Sequence, residues 1–71
     1  MNNVIRIELG RKIKELRRKR GITQEQLAEL IETSYKYIQR IEGKKPPDVR
    51  LTTIVRLAKA LKVNPPELLK F

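Results

Sequence analysis

The stretch TQEQLAELIETSYKYIQRIEG, residues 23–43, decides the fold. Thr23 followed by Gln26 is a capping box, in which the Thr hydroxyl accepts from the third helical amide and the Gln side chain reaches back to the cap. A helix therefore begins here, with Leu27, Ala28 and Ile31 on its inward face, and its pattern lapses at Glu32, Thr33 and Ser34 after about two turns. Thr33 or Ser34 can cap a second helix. That helix turns Ile38 and Ile41 inward, leaves Tyr35, Lys36, Gln39 and Arg40 outside, and ends near Gly43.

Working outward, Ile5, Leu9, Ile13 and Leu16 recur at helical spacing, and Arg6, Arg11, Lys12, Lys14, Arg18 and Lys19 fill the other faces. This first helix of the chain is expected to run to about Arg20 and stop at Gly21, which suits the left-handed residue after a helix end. Gly10 inside it costs about 1 kcal/mol relative to Ala unless another backbone packs closely there. After Gly43, Lys44-Lys45-Pro46-Pro47-Asp48 reads as a basic loop. Leu51, Ile54, Leu57, Ala58 and Leu61 then form the stripe of a fourth helix. Asn64-Pro65-Pro66-Glu67 is a start signal with a cap, predicting a short fifth helix from Pro65 to Lys70. The expectation is an all-α fold, a compact five-helix unit, with residues 1–71 as one domain: a chain this short buries only about 60% of its unfolded surface and cannot sustain two cores.

Composition narrows the function. Seventeen Lys and Arg against eight Asp and Glu give a net charge of +9 and an isoelectric point near 10.4, which points to a polyanionic partner. Cysteine and histidine are both absent, so disulfides, thiolate metal sites and the commonest general base are excluded. Neither an enzyme nor a metal or cofactor site is expected, and no small-molecule ligand is evident. Residues 1–10 lack the apolar core of a signal peptide, and no apolar run is long enough to cross a bilayer, so a soluble, cytoplasmic protein is expected.

Two short helices about three residues apart, with small Ala28 on the first and exposed polar groups on the second, form a helix-turn-helix arrangement. The second helix of such a unit enters a major groove about 12 Å wide only if the first crosses it closely, which favours a small side chain at the crossing.

Leu16-Arg17, Gly21-Ile22-Thr23-Gln24, Leu27-Ala28, Tyr37-Ile38, Ile41-Glu42, Gly43-Lys44, Leu57-Ala58-Lys59-Ala60-Leu61 and Leu68-Leu69 together resemble the Cro and phage-repressor (Xre) family over roughly Leu9 to Leu69. The resemblance implies a lambda-repressor-like domain, a sequence-specific double-stranded-DNA-binding transcription regulator, and a homodimer, completed on DNA or before it, on an inverted-repeat operator. It makes the segment from about Ser34 to Glu42 the recognition helix, with Ser34, Tyr35, Lys36 and Arg40 facing bases. Lys36 and Arg40 suit guanine O6 and N7, and Tyr35 suits a thymine methyl or a phosphate. Gln24, Tyr37, Lys44, Lys45 and Arg50 fall at phosphate-contact positions, Tyr37 having core coverage as its alternative and the others plain solvation. Arg17 and Glu42 fall at a partly buried ion pair that ties the first helix to the end of the third. The chain departs from the family pattern at Glu32-Thr33-Ser34, where Gly-hydrophobic-polar is usual, and in a loop after Gly43 about one residue longer.

Two other function classes fit parts of the sequence. An antitoxin-like or other protein-interaction module would use the apolar carboxyl-terminal edge, Leu68, Leu69 and Phe71, which equally suits a homodimer seam or core packing. Membrane or RNA binding through the first helix would use its eight cations from Arg6 to Arg20, but that helix has no aromatic residue on its apolar face.

Overall fold

The computed structural model describes residues 3–71 as four α-helices, α1 (Asn3–Lys19), α2 (Gln24–Leu30), α3 (Tyr35–Ile41) and α4 (Leu51–Leu61), and then a 3-10 helix, Pro65–Leu69. The expected fifth α-helix is thus a 3-10 helix. Pro65 and Pro66 carry no N–H, and the segment closes through the short-range bonds Glu67 N–H to Asn64 O (2.9 Å) and Lys70 N–H to Glu67 O (3.4 Å). Asn64 takes the extended cap conformation, but its side chain caps nothing.

One core joins all five elements: Leu9 and Ile13 from α1, Leu27, Ala28 and Ile31 from α2 and its end, Ile38 and Ile41 from α3, Ile54, Leu57, Ala58 and Leu61 from α4, and Leu68. Three residues of the predicted stripes lie outside it, Leu16 only partly buried against its edge. Ile5 and Leu51 sit in the first turns of α1 and α4 and are exposed, and Leu51 keeps 76% of its surface. Of the apolar carboxyl-terminal edge, Leu68 belongs to the core, whereas Leu69 and Phe71 face outward.

Three helices end in one way. After α1, α2 and α4 the chain makes paired backbone bonds back into the last turn: Ile22 to Arg17 O with Gly21 to Arg18 O, Thr33 to Ala28 O with Glu32 to Glu29 O, and Val63 to Ala58 O with Lys62 to Lys59 O. Gly21 (φ 70°), Glu32 (φ 57°) and Lys62 (φ 59°) hold the left-handed position of each motif. At Gly10 another backbone does pack closely: α1 crosses the end of α3 there, and a Cβ at Gly10 would collide with the Ile41 carbonyl oxygen. Arg6 Nε reaches Asp48 Oδ1 at 2.6 Å, fastening the loop after α3 to the start of α1.

Candidate nucleic-acid interface

Both helices of the unit are fixed at their amino ends by side chains. Thr23 Oγ1 accepts from the Gln26 amide at 3.0 Å while Gln26 Oε1 accepts from the Thr23 amide at 2.8 Å, and Ser34 Oγ accepts from the Tyr37 amide at 3.1 Å. With Leu27, Ala28, Ile38 and Ile41 buried between them and the rest of the core, α2 and α3 have a set crossing. Periodicity then dictates what α3 shows to solvent: Tyr35, Lys36, Gln39 and Arg40 are exposed on one face. Ser34 uses its oxygen for the cap but keeps its hydroxyl proton for donation. Tyr37 is half-buried against the core.

Arg17 and Glu42 meet in a bidentate pair, Nε to Oε2 at 2.8 Å and Nη2 to Oε1 at 3.1 Å, with side chains 10% and 2% exposed. Arg17 Nη1 also donates to the Ile22 carbonyl at 2.9 Å. Glu42 Oε1 accepts a further bond from Gln24 Nε2 at 2.9 Å. One buried ion pair therefore holds the last turn of α1, the end of α3, and the entry to α2 on both sides of Thr23. No sequence signal marks Gln24 as a partner of Glu42, because the two meet only through the packing of α2 against α3.

Beyond α3 lies a row of cations. Lys44, Lys45 and Arg50 have no carboxylate partner among the described residues. Across an open groove from Lys44, lined also by Ile7, Gly43 and the Arg17-paired Glu42, stand Arg11 and Lys14 of α1. The sequence marks these two only as part of a general basic face. Their i, i+3 spacing on α1 is a signal, but which side of α1 faces the loop is set by the Gly10 crossing.

Among the described residues no group of three or more acidic, His or Cys side chains is placed to hold a metal, and no helix is long and apolar enough to cross a membrane. The helix-turn-helix family model matches residues 13–68. The fold is similar to that of the restriction-modification controller protein C.AhdI from Aeromonas hydrophila, with a TM-score of 0.82 and 35% identity over 89% of this chain and 94% of that one. It is also similar to the hypothetical transcription factor NHTF from Neisseria, with a TM-score of 0.86 and 29% identity over 93% of this chain and 75% of that one. No curated protein matches the chain. An all-helical domain with a capped, outward-facing α3, matched by the family model over most of its length, is a DNA-binding regulator rather than an enzyme: the chain belongs to the helix-turn-helix family of Cro- and phage-repressor-like proteins.

Proposed function

We propose that the chain is a cytoplasmic, sequence-specific transcription regulator that places α3 in the major groove of duplex DNA and occupies an inverted-repeat operator as a homodimer. The observation that carries this reading is the exposed polar face of α3, capped by Ser34, packed on an α2 that Thr23 caps, and bordered by cations with no carboxylate partner among the described residues. Ser34, Tyr35, Lys36 and Arg40 read base edges, with Arg40 and Lys36 donating to guanine O6 and N7. Gln24, the Tyr37 hydroxyl, Lys44, Lys45 and Arg50 hold phosphates, and Arg11 and Lys14 extend that grip along the groove beside Lys44. Arg17 and Glu42 serve the fold and make no contact of their own with DNA. Likeness to a restriction-modification controller protein supports a regulatory role. Leu69 and Phe71, exposed at the carboxyl end, offer apolar surface to a second copy.

Selection of bound duplexes from a random pool with the purified protein tests the proposal. Enrichment of one motif, bound far more tightly than a scrambled duplex at the same salt concentration, is the expected result. Equal binding to all duplexes would reduce the protein to a non-specific polyanion binder.

A further inference from the structure

We propose that Glu42 is a positioning residue for DNA binding: its buried carboxylate fixes the Gln24 amide, holding one N–H and presenting the other to a phosphate. The inference rests on the proposed contact of Gln24 with the DNA backbone.

The chemistry of the two groups sets the orientation. An ionised carboxylate only accepts hydrogen bonds, so the nitrogen of the Gln24 amide must face Glu42 Oε1, as the 2.9 Å contact from Nε2 has it. Turning the amide over would set oxygen against oxygen. The nitrogen carries two N–H groups, and Glu42 takes one, leaving the second directed away from the carboxylate. A free Gln side chain has several rotatable bonds, and ordering it on DNA costs rotamer entropy; a Gln tied to Glu42 is already ordered when the chain folds.

A carboxylate beside a phosphate would ordinarily repel it. Here Arg17 covers both oxygens of Glu42 from the core side, at 2.8 and 3.1 Å, so the carboxylate can orient Gln24 while its charge is matched. The same guanidinium reaches the Ile22 carbonyl, which pins the backbone just ahead of Gln24. Both the main chain and the side chain of the entry to α2 are thus referred to a single buried pair. A residue of α1 with no path of its own to DNA acts on the phosphate contact through Glu42.

The sign of the effect separates positioning from simple charge. Removing a negative charge near DNA should tighten binding, whereas releasing the Gln24 amide should loosen it. The test titrates the full chain against its selected duplex and a scrambled one, using Gln24→Ala, Glu42→Asp, Glu42→Gln and the double variants. Glu42→Asp keeps the charge but withdraws the carboxylate by one methylene. Gln24→Ala is expected to weaken binding about tenfold with an unchanged salt slope, since a hydrogen bond to a charged group is lost but no charge. Either Glu42 variant is expected to weaken binding several-fold, and to add nothing further in the Gln24→Ala background. Folding is checked separately in each variant from its nitrogen–proton spectrum. In the wild type, one Gln24 side-chain proton should stand apart from its twin and from other Gln amides, and should move toward them in Glu42→Asp. If Gln24→Ala binds like the wild type, Gln24 does not meet DNA, and the proposal falls with that contact. If Gln24→Ala weakens binding while the Glu42 variants bind unchanged, tighter, or with losses that multiply in the double variants, Gln24 remains a contact and the positioning role is overturned.

Discussion

Gly21, Glu32 and Lys62 occupy the same left-handed position at the ends of three helices, and only the first is free of a Cβ. For a side-chain-bearing residue that conformation costs about 1 to 2 kcal/mol. Glu32→Gly is therefore expected to raise stability by about 1 kcal/mol in thermal or urea unfolding, the relief being partly offset by the greater freedom glycine gives the unfolded chain. No gain would mean that Glu32 is stabilised by a contact beyond the turn itself. Arg17 lies at the other extreme, buried and bonded entirely within the fold. Arg17→Met would leave Glu42, 2% exposed, without its counter-charge and should lower stability by about 3 kcal/mol. An unchanged melting temperature in that variant would mean that water reaches Glu42. Residue types made Arg17 and Glu42 readable as a pair once the resemblance was in view, because a buried guanidinium needs a forked acceptor. Gln24 was legible only as a phosphate-contact position and not as a partner of Glu42, since nothing local connects it to a carboxylate 18 positions away.

At the scale of elements, the sequence was most informative where a signal is local. Thr23 with Gln26 set the start of α2, and the apolar spacing set the inward faces of α2, α3 and α4. It misled at the carboxyl end: Asn64-Pro65-Pro66-Glu67 has the pattern of an α-helical start, yet the segment is only five residues long and closes in the tighter three-residue bonds that such short pieces favour. Crossings were not legible at all. Gly10 reads as a flaw in α1 until α3 is packed against it, and Gly10→Ala tests the crossing directly. Helix propensity alone favours that change by about 1 kcal/mol. The collision with the Ile41 carbonyl instead predicts a loss of about 2 kcal/mol, the usual penalty for overpacking, because the obstacle is backbone and cannot rotate away. A stabilised Gly10→Ala would show that α1 and α3 can move apart at little cost. For α3 the proposed division between reading and gripping has its own signature. Arg40→Ala should cost about 1 to 3 kcal/mol per half-site and relax preference at one base pair, whereas Lys45→Ala should weaken selected and scrambled duplexes alike and lower the salt slope by about one. Titration of both variants at several salt concentrations checks it. Equal losses on both duplexes for Arg40→Ala would move the base contact to Lys36.

Over the whole molecule the charge is unevenly spread. Five of the seventeen Lys and Arg side chains pair with carboxylates, leaving twelve with none among the described residues, and these include Lys36, Arg40, Lys44, Lys45 and Arg50. The exposed side of α2 carries Glu25 and Glu29, with Glu32 just after it, and none of the three has a cation partner among the described residues. A polyanion is thus drawn to the α3 side and held off the outer face of α2. Size then decides how many copies are needed. α3 has seven residues and is about 10 Å long, enough to face roughly three base pairs, which is too little sequence to single out an operator. Successive major grooves on one side of DNA are about 34 Å apart, and the longest extent of one copy is 29 Å, with a single α3 in it. Two copies related by a two-fold axis solve both problems, and the selected sites are therefore expected to be inverted repeats with half-site centres about 10 base pairs apart. Inserting about five base pairs, half a helical turn, between the half-sites carries one of them to the opposite side of the duplex. Affinity should then fall toward that of a lone half-site, and the two copies should bind in separate steps in a mobility-shift titration. Selected sites without two-fold symmetry, or a spacer insertion that leaves affinity unchanged, would mean that each copy binds alone.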